Sequence, residues 1–333
     1  AHPLLFATLY KVLQAMGCDT QFAVSRGPML LQALFAGVCD LYVYLVSKRL
    51  FGHDAARSAL LCQLSSWFNF YCLPRTYANS LEATLSLAAV YHWGLHLPRR
   101  SRSRSVGHAR TGQRLGLALA ALCVVLRPAC IPFWLVVGAA ELVGGGQRGE
   151  RLGLLADTVG IGCLALASSI SIDRLFYGRW VVVIWEFVRF NILQGGSAMY
   201  GSHPWHWNFT QGLPTIAASY VPLIAAGLWF AKPGRRLGAM AATYLALMSI
   251  PAHKEFRFLL PGLQLLMPAA GWAFWRLANS VTVAGPRPRW ERYATRSHPQ
   301  QSCHRQPSWV AACLLFGSSA CFSVLAHCAM LLS

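Results

Sequence analysis

Apolar runs of roughly 15–25 residues recur along the whole chain, each of them close to the length that a helix needs to cross a bilayer. Ten candidate spans follow, at 28–47, 58–73, 81–97, 115–127, 128–143, 152–171, 219–231, 237–251, 257–276 and 307–331. In lipid every backbone N–H and C=O must be satisfied within the protein, which leaves helices or closed barrels. Runs of this length select helices. The predicted fold class is therefore an all-α polytopic membrane protein. Composition agrees: 12% of residues are charged and 55% are hydrophobic, whereas a soluble domain carries about 25% charged residues. The runs at 115–127 and 219–231 are short for a full crossing. The Arg127-Pro128 step reads equally well as a kink within one bent segment.

Four regions are expected. Residues 1–27 form an interfacial amphipathic segment, with Lys11 and Gln14 set among Leu, Phe and Met. Residues 28–276 form the core transmembrane domain, which includes a long loop at 172–218. Residues 277–306 form a basic loop rich in Pro, Arg, Ser and Gln, expected to be disordered. Residues 307–333 hold the last span. The chain opens on Ala1 and closes inside an apolar run, so it is expected to be a truncated piece of a longer protein.

The formal charge is +18, from 29 Lys and Arg against 11 Asp and Glu. Such a balance would suit nucleic-acid binding if the cations lined one groove. Instead they fall in short blocks between apolar runs, and no nucleic-acid partner is expected. Numbering the spans alternately puts 48–57, 98–114, 144–151, 232–236 and 277–306 on one side. Those blocks, with Arg276 at their edge, hold most of the Lys and Arg, which makes that side cytoplasmic. The 11 Cys are scattered, without a C-x-x-C pair, and read as small hydrophobes between helices.

Four polar stretches fall on the other side: Pro74 to Ser80 with Glu82, the Arg127-Pro128 break, the loop 172–218, and His253-Lys254-Glu255-Phe256-Arg257. In the loop, Glu186 and Arg189 are three apart and are expected to share a helix face. The stretch Tyr200 to Thr210 contains His203, Trp205, His206, Trp207 and the sequon Asn208-Phe209-Thr210. Dense Trp and Tyr serve as interfacial anchors as readily as they serve as a stacking platform for a sugar. His203 and His206 lack a nearby carboxylate or third His, so no metal site is expected. Asn208 is a candidate for N-glycosylation. In the last stretch, three formal charges at a span edge call for pairing or hydration. Lys254 and Arg257 are expected on one face of a helix start with Glu255 between them. Such cations at a helix N-terminus could grip a lipid phosphate.

The nine residues 253–261, His-Lys-Glu-Phe-Arg-Phe-Leu-Leu-Pro, resemble the signature of the endoplasmic-reticulum mannosyltransferases of glycosyltransferase family 22. These are GT-C enzymes that use dolichyl-phosphate mannose. The stretch Tyr200 to Pro214, with its core at 203–207, resembles the branch of that family acting on glycosylphosphatidylinositol (GPI) precursors. So do Ser66-Trp67-Phe68, Tyr71-Cys72, Arg75-Thr76, Asn79 with Glu82, and Ile172 to Gly178. The resemblance covers most of the chain outside 99–114 and 277–306.

The resemblance implies a GT-C transmembrane domain in the endoplasmic-reticulum membrane with its active face lumenal. It implies inverting transfer of the third, α1,2-linked mannose from dolichyl-phosphate mannose to the GPI precursor glycolipid. On this reading His253, Lys254, Glu255 and Arg257 bind the donor phosphate. His203, Trp205, His206, Trp207, Arg75, Asn79 and Glu82 line the sugar and acceptor site. No cofactor or metal is implied, and nothing identifies a protein partner. The family's catalytic Asp lies in the first lumenal loop and is expected to fall upstream of Ala1. No catalytic residue is therefore assigned, and the activity of this piece alone is left open. The alternatives are a fourth-mannose GPI enzyme or an N-glycan enzyme of the same family, and a non-catalytic multi-pass transporter or scaffold.

Overall fold

A computed structural model describes residues 2–98, 106–144 and 148–284. Among these residues the regular elements are all helical. Helix α1 (His2–Ala15) buries none of its residues and lies beside α2 (Gln21–Phe51). The expected start of the first span at 28 moves back to Gln21. Thr20 caps the helix, its hydroxyl accepting from the Ala23 N–H at 3.2 Å, and Pro28 is carried inside. Lys48 and Arg49 sit in the last turn, where the helix dipole favours cations.

The run 58–73 becomes two helices, α3 (His53–Ser65) and α4 (Trp67–Cys72), broken at the extended residue Ser66. Helix α5 (Ala78–Trp93) ends on Gly94 in the left-handed conformation. Helix α6 (Val106–Leu126) stops at Arg127, which is extended because Pro128 follows it. After a 3₁₀ turn the chain resumes in α7 (Ile131–Val143). Helix α8 spans Arg148–Tyr177. The loop that follows is not featureless. It holds the short helix α9 (Val183–Val188), a π-turn at Arg189–Leu193 and a 3₁₀ turn at Gly196–Tyr200. Glu186 and Arg189 do pair across one turn, at 3.6 Å.

The short run 219–231 turns out to be the end of a longer helical stretch. It begins with a π-turn at Asn208–Gly212, passes through α10 (Leu213–Ala217), and ends in α11 (Val221–Phe230). Polar Asn208, Thr210 and Gln211 masked that continuity in the sequence. Helix α12 (Arg235–Leu247) and α13 (Leu260–Ala284) complete the described fold, and α13 runs past the expected loop start at 277. The rest of 277–306, the span 307–331 and the Arg-rich block 99–105 lie outside the described residues.

Among the described residues four helical stretches are long and apolar enough to cross a membrane: Gln21–Phe51, Arg148–Tyr177, Asn208–Phe230 and Phe256–Ser280. The other helices within the expected runs are shorter, so length and apolarity do not by themselves establish ten crossings. Helix α13 is the hub, packed on α2, α3, α5, α11 and α12. Gly271 lets it meet Ala59 of α3, and Gly227 of α11 meets the Ala269 backbone; a Cβ at either glycine would collide. Such close approach replaces the hydrophobic drive that lipid removes.

A ring of three amides locks the α3–α4 break to the hub. Gln63 donates to Gln264 at 2.7 Å, Gln264 to Asn69 at 2.8 Å, and Asn69 to Gln63 at 2.8 Å. Gln63 also donates to Asp40 at 2.9 Å. Asp157 on α8 pairs with Arg110 and Arg114. Asp40 and Asp157, inside two of the expected spans, therefore both have partners.

Candidate functional site

The helices sort the polar loops onto two ends. At one end Arg236, at the start of α12, donates to Leu97 O at 3.2 Å and to Glu141 at 2.5 Å. Lys48, Arg49 and Arg235 lie at this end by connectivity. At the opposite end the loops 73–77, 178–207 and 248–259 come together. The Arg257 guanidinium lies 5.2 Å from the Tyr77 ring centre, and the His253 ring meets Gly201 O at 3.3 Å. The alternation of charge along the sequence thus matches the sorting of loops in space.

Two motifs that are some fifty residues apart in sequence are laced to each other here. The His203 N–H donates to Ala252 O at 2.9 Å, and the Lys254 ammonium returns a bond to His203 O at 3.0 Å. The Tyr200 and His253 rings lie 5.8 Å apart. The Trp207 ring is stacked on His203 at 4.7 Å and tilted against Phe256 at 4.9 Å, joining the two segments from below.

The segment 253–257 does not start a helix at Lys254 as the sequence suggests. Glu255 is extended, and the helical turn begins at Phe256. Lys254 and Arg257 therefore bond different partners. The Lys254 ammonium donates to Pro251 O at 2.7 Å as well as to His203 O, and the residue is only 4% exposed. Burial pushes its pKa below the usual lysine value. Glu255 organises His253 and Arg257 instead. One oxygen accepts from Arg257 Nη2 at 2.9 Å and meets His253 Nε2 at 2.9 Å; the other pairs with Arg257 Nε. Burial works to raise the Glu255 carboxyl, but the bonds from Arg257 and His253 outweigh it and hold it below the ordinary range.

Arg257 keeps an outward face. Its side chain is 39% exposed, and it also lies 5.8 Å from the Phe258 ring centre. Arg75 lies over the Tyr71 ring at 3.9 Å, and both Arg75 and Arg257 are close enough to act electrostatically on Cys72. Arg75, Arg257 and Lys254 thus share this end with the Glu255 carboxylate. Tyr71, Tyr77 and Phe258 frame the guanidinium groups, a role that the sequence did not single out. Aromatic faces attract cations, but Tyr and Phe within apolar runs look like ordinary core.

Beneath the rim lies a buried charge pair. Glu82 is fully buried on α5 and pairs with Arg127 at the α6–α7 break. Its other oxygen accepts from Tyr244 Oη at 2.9 Å. Glu82 therefore does not face a ligand space, contrary to its expected place in the sugar site. Asn79, one turn before it, is buried with its Nδ2 unpartnered.

The aromatic stretch divides in two. Trp205 is 73% exposed and His206 bonds Thr210 at 3.1 Å, so both look outward. Trp207 is 5% exposed and belongs to the packed floor, not to an open sugar platform. Asn208 is 1% exposed, and its Nδ2 donates to Ser249 Oγ at 3.0 Å. A glycan on that nitrogen would have no room, so the sequon is not presented for modification in this fold. Among the described residues no group of three His, Cys, Asp or Glu is placed to hold a metal ion.

A cavity of about 290 Å³ lies between α6, α7 and α8. Its walls are apolar and include Leu117, Val124, Trp134, Gly162 and Ala165. Val125 and Ile131 of the wall flank the break that carries Arg127, and Ile184 of α9 also lines the cavity. The cavity therefore reaches toward the end that holds the charged rim.

Comparison with known proteins gives a consistent set of relatives. The model of the Alg9-like mannosyltransferase family matches residues 1–330. Mannosyltransferase APTG1 of Arabidopsis thaliana is 39% identical over 295 residues, covering 86% of this chain and 52% of that protein. GPI alpha-1,2-mannosyltransferase 3 of Xenopus laevis is 34% identical over 275 residues, covering 82% of this chain and 50% of the relative. The chain spans about half the length of these curated relatives. The crystal structure of ArnT from Cupriavidus metallidurans bound to undecaprenyl phosphate has a TM-score of 0.62 at 13% identity, covering 97% of this chain and 59% of that one. The two share a fold.

Proposed function

This chain belongs to the Alg9-like mannosyltransferase family, and on that premise we propose that it forms the donor-binding part of an enzyme that moves mannose from dolichyl-phosphate mannose to a GPI precursor. The mannose added is the third, α1,2-linked to the second, on the lumenal face of the endoplasmic-reticulum membrane. The observation that carries this reading is the convergence of Arg257, Arg75 and the His253–Glu255 pair at one end of the bundle, beside the apolar cavity.

The chemistry explains why these groups suit each other. Transfer breaks the bond between the mannose anomeric carbon and the donor phosphate oxygen, so a second negative charge develops on the leaving dolichyl phosphate. Fixed cations aimed at that charge lower the barrier. Arg257 is held by Glu255 at Nε and Nη2, and its side chain stays 39% exposed. Arg75 supplies a second guanidinium at the same end. Lys254 holds the 201–204 and 251–254 segments together, since two of its three donors go to backbone carbonyls. The exposed Trp205 and His206 would meet the sugar or the acceptor glycan.

The cavity between α6, α7 and α8 would take part of the prenyl chain by close packing, since a chain that comes from lipid brings no hydrophobic drive. The acceptor hydroxyl must also lose a proton to a base. Two acids of the motifs do not fit that role: Glu82 is buried and Glu255 is fully paired. The base is therefore not assigned to either of them.

The test is complementation. The full-length protein, expressed in cells lacking the third-mannose enzyme, should restore GPI-anchored proteins at the surface. Stable expression without rescue would sink the assignment. The lipid intermediate that builds up on deletion separates the family branches. A two-mannose GPI intermediate is expected; a three-mannose GPI or a truncated dolichol-linked N-glycan would point to the fourth-mannose or N-glycan enzyme instead.

A further inference from the structure

We propose that Glu82, Arg127 and Tyr244 form a positioning device that holds the Phe258 ring, and through it the Arg257 guanidinium, in the site. The proposal rests on the reading above, in which Arg257 faces the leaving phosphate.

The starting point is a charge pair that stability alone does not explain. Glu82 and Arg127 lie inside a helical bundle, on α5 and at the α6–α7 break, with Tyr244 of α12 as the third member. Taking two charges out of water is expensive, and apolar residues of similar volume often stabilise a core as well or better. What an ion pair supplies is direction. Glu82 has both oxygens engaged, so Arg127 has one preferred orientation. Tyr244 is itself held edge-on against Phe133, with ring centres 5.4 Å apart.

The direction set by this pair leads to the rim. Arg127 Cζ lies 5.0 Å from the Phe258 ring centre, while Arg257 Cζ lies 5.8 Å from the same centre and the His253 ring 5.7 Å from it. One ring thus links the buried guanidinium to two members of the 253–257 motif. A ring face attracts both cations, and Glu82 offsets the charge of Arg127. Without Glu82 an uncompensated cation would sit one ring away from Arg257 and repel it. The Arg127-Pro128 break is what lets Arg127 leave the helix wall and reach the ring: its extended backbone ends α6 at Leu126.

The test uses the full-length protein in detergent with purified lipid-linked donor. Glu82→Gln combined with Arg127→Met removes both charges and leaves neither stranded. Phe258→Leu removes only the ring, and serves if the first variant fails to accumulate. The readouts are kcat, KM for the acceptor, melting temperature, and amide exchange in the peptide 252–259. Each variant should lower kcat by up to about 100-fold, the scale of a small misplacement of a reacting group. KM for the acceptor and the melting temperature should stay in place, while exchange within 252–259 rises. Added to Arg257→Ala, neither variant should lower kcat further, because the group it positions is gone. Unchanged exchange in 252–259, or losses that multiply with Arg257→Ala, would overturn the proposal. If the wild-type protein transfers no mannose, the functional reading fails, and the exchange measurement still decides the positioning role.

Discussion

Two of the Arg–Glu pairs in the molecule stand in opposite settings. Arg127 and Glu82 meet inside the bundle, with side chains 12% and 0% exposed. Arg257 and Glu255 meet at the rim, with side chains 39% and 32% exposed. Burial makes the first pair rigid and closes it to any ligand. Exposure makes the second pair weak as a structural element, since surface pairs contribute about 0–1 kcal/mol. The same exposure leaves Arg257 available to an incoming anion. One pair can therefore serve the fold and the other the substrate, and Phe258 stands between them.

The sharpest way to break that division is to delete one carboxylate or one guanidinium at a time. Glu82→Ala strands Arg127 in the bundle and should destabilise the protein by about 3–5 kcal/mol. Loss of folded full-length protein, followed by size-exclusion and thermal melting, would read it. Arg257→Ala should behave in the opposite way. The protein should accumulate and melt normally, while mannose transfer falls by about 10²–10³-fold, as when one donor to a developing anion is removed. Equal losses of fold in both variants would erase the distinction between the pairs.

The fold class was legible because lipid imposes it. Apolar runs of spanning length leave helices as the solution, and the blocks of Lys and Arg mark one end. The observed meeting of 73–77 with 253–257 follows from that alternation. The boundaries were not legible where polar residues sit inside helical stretches: Asn208, Thr210 and Gln211 hid the start of the stretch that ends at Phe230. Within the site, the sequence pointed to 203–207 and 253–257 but not to how each residue is used. Lys254 and Arg257 have the spacing of one helix face, yet the helical turn begins only at Phe256. Trp205 and Trp207 are chemically alike, and only packing separates the outward ring from the buried one. Tyr244 carried no signal, and Phe258 none beyond its place in the 253–261 stretch, because an aromatic residue in an apolar run has the same appearance whether or not it meets a guanidinium.

Lys254 offers a middle case, buried like Arg127 but placed in the rim. Lys254→Met removes two bonds to carbonyls, and leaving buried acceptors unpaired costs about 1–3 kcal/mol each. The melting temperature should fall, with KM for the donor rising only as the loops loosen. A raised KM at an unchanged melting temperature would move Lys254 to the side of the ligand. The cavity can be tested apart from either pair. A Cβ at Gly162 would meet open space, so Gly162→Leu is tolerated sterically, yet its side chain would enter the cavity. A rise of about tenfold in KM for the dolichyl donor is expected, equal to about 1.4 kcal/mol of lost chain contact. An unchanged KM would place the prenyl chain elsewhere.

The smallest effect is the pH response of the rim pair. Arg257 and His253 hold the Glu255 carboxyl below its ordinary value of 4.5 in the folded protein. A depressed folded pKa means that the unfolded chain takes up the proton first as the pH falls. The stabilisation is therefore present in full above the ordinary value and is lost as the pH drops through the folded one. Because the pair is partly exposed, the loss should stay under about 1 kcal/mol. Melting curves of the wild type and of Glu255→Gln, compared from neutral pH down to about pH 4, would isolate it. The wild type should lose slightly more stability than the variant over that range. Identical slopes would mean that Glu255 contributes no coupling, and Arg257 would then be held from the Phe258 side alone.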